Sequence, residues 1–503
     1  MPVAVRAAVV VVSPVCAQQR VAFARVSFAV RAKMRCLIDE RDRDPRVDYP
    51  LATAMRSRLF LLGLGCSWVL SPGVAHASGF AVARFASEHG HPTTANATAL
   101  YYNPGALTLS EGLHLFADLN VGVRRVSYDR TRAASDAPDP PDAQGANVGR
   151  AVLVNPLVNP VLAASLKLGK LSLGAGFFTP FGGSVNWRSR PAFADSRYPG
   201  VVDGVTRFQS IEGEIVTSQF SLGAALRVAD GLSLGVSASV MRSWINDVRA
   251  WSSGSNDVTR EGRSLSAAHG YAVGFGFGAL YEALPNALWL GLSYQSRPNV
   301  SGGMRLHGSL DNDIGGPSSA NVDVIYDLPD VLRWGARYRP RPTLELRAFG
   351  DYTRFSAFEH QCAVVSGTPC ALKANGAERS GAQVLQNVPR NFKDSVGVRL
   401  GASIWTSPSF EFFSGLGYDS SAVPDSTMEP GLPDWAGASF ALGARVALGS
   451  HMHAALSYTH FVFVPREVHG RLSEYASPSR SPDASGHYAQ QVGVGNANVE
   501  MAF

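Results

Sequence analysis

From residue 112 to Phe503, segment after segment carries apolar side chains at every second position, the period of a β-strand rather than of a helix. In one clear segment Phe440, Leu442, Ala444, Val446 and Leu448 share a face, and Ser439, Ala441, Gly443, Arg445 and Ala447 share the other. Tyr271, Val273, Phe275, Phe277 and Ala279 likewise oppose Gly270, Ala272, Gly274, Gly276 and Gly278. The pattern predicts strands near 112–128, 151–167, 170–187, 214–229, 231–250, 266–284, 287–303, 321–339, 342–358, 391–406, 409–419, 437–449, 451–466 and 488–503. That is about fourteen, and an even count is what closed bacterial barrels have. The connections sharpen the reading. Those at Gly169-Lys170, Asp230-Gly231, Pro285-Asn286, Arg339 to Pro342, Thr406 to Ser409 and Gly449 to His451 are tight. Those near 129–150, 188–213, 251–265, 304–320, 359–390, 420–436 and 467–487 are long and rich in Pro, Gly and Ser. Tight and long connections alternate strictly, as periplasmic turns and extracellular loops do in an up-and-down barrel. The predicted fold is therefore all-β: a transmembrane antiparallel β-barrel over 111–503, its apolar faces toward lipid. A slip of parity near Val492 and Val494 predicts a bulge in the last strand. Tyr128, Trp187, Trp244, Tyr338, Trp405 and Tyr418, near strand ends, are assigned to interfacial girdles.

Composition agrees. Only 17% of the 503 residues are charged, 50 are glycine, and the mean hydropathy is +0.01, which suits an apolar outside and a wet inside. The formal charge of +5 suggests an acidic partner until its position is considered. The front of the chain, from Arg6 to Arg58, holds the basic excess, and the remainder is close to neutral. No nucleic-acid partner is expected. Met55-Arg56-Ser57-Arg58, the apolar stretch Leu59 to Leu70 and Ala75-His76-Ala77 read as a signal peptide spanning 55–77. Residues 1–54 are then a non-native or disordered extension ahead of the true initiator. Cys362 and Cys370 remain in the mature chain, and two close cysteines in an exported protein predict a disulfide within one surface loop.

Between the cleavage site and the first strand, 78–110 shows neither a strand-length alternation nor a long helix. It has the size of a plug, and a barrel this wide needs filling if it is to be selective. Its residues Ser78-Gly79-Phe80, Ala95 to Leu100 and Tyr101-Tyr102-Asn103-Pro104-Gly105-Ala106-Leu107-Thr108 resemble the N-terminal hatch of the FadL/TodX (OMPP1) family of outer-membrane transport proteins. That family places Asn-Pro-Ala-Gly before its first strand; here Gly105 and Ala106 stand in exchanged order. Further landmarks follow in family order. They are Gly176-Phe177-Phe178-Thr179-Pro180-Phe181-Gly182-Gly183 with Trp187, Leu328-Pro329-Asp330 with Arg333-Trp334-Gly335, Asn391-Phe392-Lys393-Asp394, Gly417-Tyr418-Asp419-Ser420-Ser421 and Leu432-Pro433-Asp434.

The resemblance, which covers roughly 78–503, implies passive uptake of long-chain fatty acids or other hydrophobic compounds such as aromatic hydrocarbons. A molecule is caught outside, bound in the lumen and released sideways into the bilayer as the hatch (Asn103, Pro104, Gly105) rearranges. A wall opening needs a locally unpaired strand; Pro180 cannot donate a ladder hydrogen bond, and Gly182 and Gly183 relax the chain beside Phe181. Arg227, Arg333, Arg337, Arg399 and Arg445 share the small and polar faces of their strands and are the candidates for gripping a carboxylate. Routine lumen polarity is the competing reading of the same arginines. No Gly-x-Ser-x-Gly elbow or metal-spaced histidine pair occurs in the strands, so neither an enzyme nor a cofactor is expected. His89 and His91 are read as a solvated pair. The chain is expected to be a monomer, with outer-membrane lipid and a hydrophobic small molecule as its partners. A surface structural or adhesive barrel acting through its loops is the alternative function, although adhesion needs no plug.

Overall fold

The computed structural model describes residues 84–252, 255–299, 303–313 and 317–503. The expected extension 1–54, the signal segment 55–77 and Ser78-Gly79-Phe80 lie outside the described residues. One antiparallel sheet contains β1 (Leu113–Arg130), β2 (Gly149–Leu168), β3 (Leu171–Asn186), β4 (Glu212–Ala229), β5 (Leu232–Trp251), β6 (Gly262–Leu284), β7 (Leu288–Gln295), β8 (Met304–Asn312), β9 (Ser318–Tyr326) and β10 (Val331–Arg341). It continues through β11 (Leu344–Thr353), β12 (His360–Val365), β13 (Val384–Pro389), β14 (Ser395–Ser407), β15 (Phe410–Asp419), β16 (Gly437–Ala447), β17 (Met452–Phe463), β18 (Arg466–Val468) and β19 (Gly486–Ala502). Pairing of β1 with β19 closes the barrel.

These pieces form fourteen barrel strands. β6 pairs with β7 near the periplasm and with β8 further out, so β7 and β8 are halves of one strand. β10 and β9, β11 and β12, and β14 and β13 are halves in the same way, and β18 continues β17 along β19. Four neighbouring strands are thus interrupted at one level. The motifs Leu328-Pro329-Asp330 and Asn391-Phe392-Lys393-Asp394 fall on these interruptions, where the chain turns Leu328, Phe355, Phe358 and Phe392 into a buried cluster. Phe358 and Phe392 meet edge to face at 5.1 Å.

The exterior carries the alternation that the sequence predicts. Leu115, Leu119, Val121 and Val123 of β1, Tyr271, Val273 and Phe277 of β6, and Leu442 of β16 are exposed, as an apolar belt facing lipid requires. Two details differ from the expectation. β19 pairs with β1 and β17 without a register shift, so it has no bulge; Val492 and Val494 instead point inward, where folded-in loops offer an apolar environment. Tyr128 and Trp187 are not girdle residues. Both are buried inside, Tyr128 stacked on Tyr488 at 4.4 Å, and Trp405 faces a lumenal cavity. Tyr338 and Tyr418 are exposed as a girdle requires.

The upper lumen is closed by its own loops. The 420–436 connection drops Met428, Leu432 and Trp435 into the apolar cluster. It is held by the buried pair Arg390–Glu429 at 2.6 Å and by Arg124 donating to the Pro433 carbonyl at 3.0 Å. Cys362 and Cys370 are joined in the neighbouring loop, with Cα atoms 6.0 Å apart.

Candidate functional site

Residues 84–110 lie across the lower lumen and touch strands on all sides of it. Asp118 of β1 accepts from the Ala86 amide at 2.8 Å, His89 pairs with Glu411 of β15 at 2.9 Å, and Ser293 of β7 donates to the Tyr102 carbonyl. Asn103 organises the turn that the sequence singled out. Its Oδ1 accepts from the Gly105 amide at 3.0 Å, and its Nδ2 donates to the carbonyls of Pro92 at 2.7 Å and Ala279 at 2.9 Å. The wall makes room by omitting side chains. A Cβ at Gly235 or Gly278 would run into the Asn103-Pro104-Gly105 turn, and one at Gly291 into Pro92. Gly235 of β5 and Gly278 of β6 are therefore the seat for this turn.

This segment divides the lumen into two chambers. The upper one, roughly 760 Å³ including its open mouth, is walled by Tyr101, Tyr102, Phe181, Phe349 and Phe461, with Arg84, Arg333, Arg399, Asp351 and Asp419 among them. Arg333 lies 4.6 Å from the Tyr101 ring centre and donates to Gln295 at 3.0 Å; Arg399 bridges Asp351 at 3.3 Å and Asp419. The lower chamber, about 530 Å³ including its open mouth, is lined by His89, His91, Glu345, Glu411 and Glu500 with Arg337 and Arg445. Arg337 sits 4.1 Å over Trp289 and Arg445 reaches Glu500 at 3.2 Å. Of the five predicted arginines, Arg333 and Arg399 therefore share one chamber and Arg337 and Arg445 the other. Arg227 joins neither; it is exposed beside the β4–β5 turn, because the strand has left the lumen there. His91 is buried and bonded to Thr93 rather than solvated, and the part-buried His89 is paired with Glu411.

The upper chamber abuts a break in the wall. β2 and β3 pair from Leu168↔Leu171 only as far as Leu162↔Phe177; beyond that, a single bridge, Leu153↔Trp187, reconnects them one residue out of register. The same extra residue appears on the other side of β3 as a bulge between Phe178 and Phe181, with Thr179-Pro180 inside it. Phe181, Gly182 and Gly183 then resume pairing with β4. Residues 154–161 of β2 thus face a stretch of β3 to which they are not laddered.

A signal for this break stood in the sequence unused. Val154-Asn155-Pro156-Leu157-Val158-Asn159-Pro160 repeats Asn-Pro at a spacing of four. The Lys167 amide bonds Gly112 on the β1 side, whereas the Val152 carbonyl bonds Arg188 on the β3 side. Even-numbered residues of this unbulged strand therefore address β3, and Pro156 and Pro160 remove two donors from that edge. Asn155 Nδ2, pointing across, donates to the Ser184 carbonyl at 2.8 Å.

A barrel with an apolar belt, residues 84–110 lying across its lumen and an aromatic chamber beside a gap in the wall has the form of an outer-membrane channel. The chain belongs to the outer membrane protein transport protein family (OMPP1/FadL/TodX), whose model matches residues 73–471. Its fold is that of a Pseudomonas aeruginosa FadL homologue, at 14% identity and a TM-score of 0.68 over 85% of this chain and 100% of that one. The Ralstonia pickettii toluene transporter TbuX (16% identity, TM-score 0.55, 83% and 97% covered) and the Pseudomonas putida toluene transporter TodX (13%, 0.56, 81% and 94%) are also similar. No curated protein sequence matches the chain. It is an outer-membrane transport protein for hydrophobic compounds.

Proposed function

We propose that this protein binds a fatty acid or an aromatic hydrocarbon in the upper chamber and releases it sideways, between β2 and β3, into the outer membrane. The observation that carries the reading is the unladdered stretch of β2 opposite the Thr179-Pro180 bulge, next to an aromatic chamber. Physical chemistry favours this exit over the alternative. Below residues 84–110 the path enters a chamber lined by three glutamates and several arginines, where an apolar solute would give up burial worth about 25 cal/mol per Å². Release into lipid keeps that burial. In this reading residues 84–110 act as the hatch, with Asn103, Pro104 and Gly105 as its hinge against β5 and β6, while Pro180, Phe181, Gly182 and Gly183 shape the opening. Arg333, which no carboxylate holds among the described residues, receives a carboxylate head group when the ligand has one; Arg399 is already bridged to Asp351 and Asp419, and Arg337 and Arg445 keep the lower chamber polar. The similarly folded channels include proteins described as toluene transporters, which supports a small hydrophobic cargo.

The test is uptake of radiolabelled oleate and of radiolabelled toluene by cells with and without the gene. Faster uptake of either compound in the gene-bearing cells is the expected result. Equal rates for both compounds would remove the support for these cargoes.

A further inference from the structure

Three arginines on adjacent strands crown the extracellular end of the β2–β3 gap. On β1 the odd positions face outward, as exposed Val121 and Val123 show, and Arg125 continues that row. On β2 the even positions face outward, as exposed Val154 and Leu162 show, so Arg150 belongs to the exterior row. Beyond β3, Trp187 points inward and Arg188 is exposed on the outer side, its amide bonded to the Val152 carbonyl at 3.3 Å. Arg125 stands level with Val154, the outer limit of the gap, and Arg150 stands opposite Asp129 on β1. Arg150 is four residues beyond Val154 on the same strand, about 13 Å at the usual rise. Of the neighbouring charged groups that share this rim, Asp129 and Glu212 are the acids, Glu212 accepting from Asn186 two residues before Arg188, and His487 of β19, paired with Glu467, lies opposite Asp129. Among the described residues, none of the three guanidinium groups is held in an ion pair with a carboxylate.

We propose that Arg125, Arg150 and Arg188 form a binding site for the phosphates of an outer-leaflet glycolipid. Their position decides the ligand class. They end an apolar belt on the side of the long loops, at the depth where acyl chains give way to head groups, and three arginines still outnumber the two acids, Asp129 and Glu212, beside them. Guanidinium matches phosphate by paired hydrogen bonds, and the two levels occupied by Arg125 and Arg150 suit a head group bearing more than one phosphate. The acyl chains of such a lipid would hang directly in front of residues 154–161. A bound lipid there stands as a lintel over the gap. The site depends on the outer-membrane location of the barrel and not on the transport reading, so the two can fail separately.

The experiment is native mass spectrometry of the folded, detergent-purified barrel incubated with bisphosphorylated lipid A, with its dephosphorylated form, with phosphatidylethanolamine or with inorganic phosphate. Lipid A should be retained, and its dephosphorylated form and free phosphate should not. R125Q/R150Q/R188Q should lower retention on the order of 100-fold, since each arginine beside a charged lipid surface contributes about fivefold. The corresponding triple lysine variant, which keeps charge but loses the fork, should fall between the two. R227Q, at the opposite end of the barrel, should retain lipid A fully. Folding of every variant is established by heat-modifiable mobility, so that loss of retention is read on intact barrels. Equal retention by the wild type and the glutamine variant would overturn the proposal. So would equal retention of the dephosphorylated lipid, or an equal loss in R227Q.

Discussion

Deleting Pro180 should close the gap between β2 and β3. β3 carries one residue more than the ladders on either side of it can absorb, and the surplus lies at Thr179-Pro180. With one residue removed, the pairing that now stops at Leu162↔Phe177 can run in uniform register to Trp187. The gain can be counted from the strand's own geometry. Of residues 154–161, the even-numbered ones address β3. Val154 and Val158 offer amides, while Pro156 and Pro160 offer none, and all four offer carbonyls. Up to about six ladder bonds become available, and at roughly 1 kcal/mol net each they favour the closed wall by about 6 kcal/mol. A shift of that size lowers the open population by about 10⁴-fold. The two prolines cap this figure from above. The assay is the initial rate of radiolabelled uptake in cells that lack the native gene and express either the wild type or the deletion, with folding verified by heat-modifiable mobility. Uptake should fall to the level of cells without the protein. Undiminished uptake by a folded deletion variant would refute the reasoning, because cargo would then be leaving by another route.

Other consequences are equally concrete. Gly235→Ala places a Cβ against the Pro104 and Gly105 backbone, so the hatch should unseat and the single-channel conductance in planar bilayers should rise; unchanged conductance would show that the seat tolerates the methyl group. Asn103→Ala removes three hydrogen bonds, two of them buried, and should loosen the hatch by about 3 kcal/mol, seen as faster tryptic cleavage after Arg84. In the 420–436 loop, burial pushes the Asp434 carboxyl up to about 7, well above its usual 3.8. Its raised value means that the neutral form stabilises the inward loop at acid pH, and that this contribution is lost as pH rises from about 4 through 7. Proteolysis within the loop should accelerate over that window in the wild type, and Asp434→Asn should remove the pH dependence. Cys362 and Cys370 should accept a thiol reagent only after reduction.

The barrel was legible because alternation is a local property. Each strand of a lipid-facing wall repeats apolar and small or polar residues regardless of what fills the lumen, and tight turns carry their own chemistry, as at Asp230-Gly231. Positions whose environment is set from a distance were harder to read. Val492 and Val494 look like a slip of parity, yet they point inward because loops from elsewhere in the chain make the upper lumen apolar. Tyr128 and Trp187 lie near strand ends as girdle residues do, but the folded-in 420–436 loop and its neighbours bury them. The five arginines shared one sequence signature, yet four divided between two chambers and Arg227 joined neither, because the segment that separates the chambers is not in their strands. The turn at Asn103-Pro104 could be read from its own residues, but the wall glycines that make room for it, Gly235 and Gly278, lie on other strands and could not. The missing half of the gap, the repeated Asn-Pro of β2, was visible but gains meaning only once the parity of that strand is known.

Photo-crosslinking with a diazirine-bearing fatty acid on intact cells, followed by peptide mapping, addresses the lateral route most directly. The account predicts label on 156–161 of β2 and on Phe178 to Phe181 of β3, in addition to the aromatic wall of the upper chamber. Label passing instead to His89, Glu345 and Arg445 in the lower chamber, with none on the edges of the gap, would contradict it.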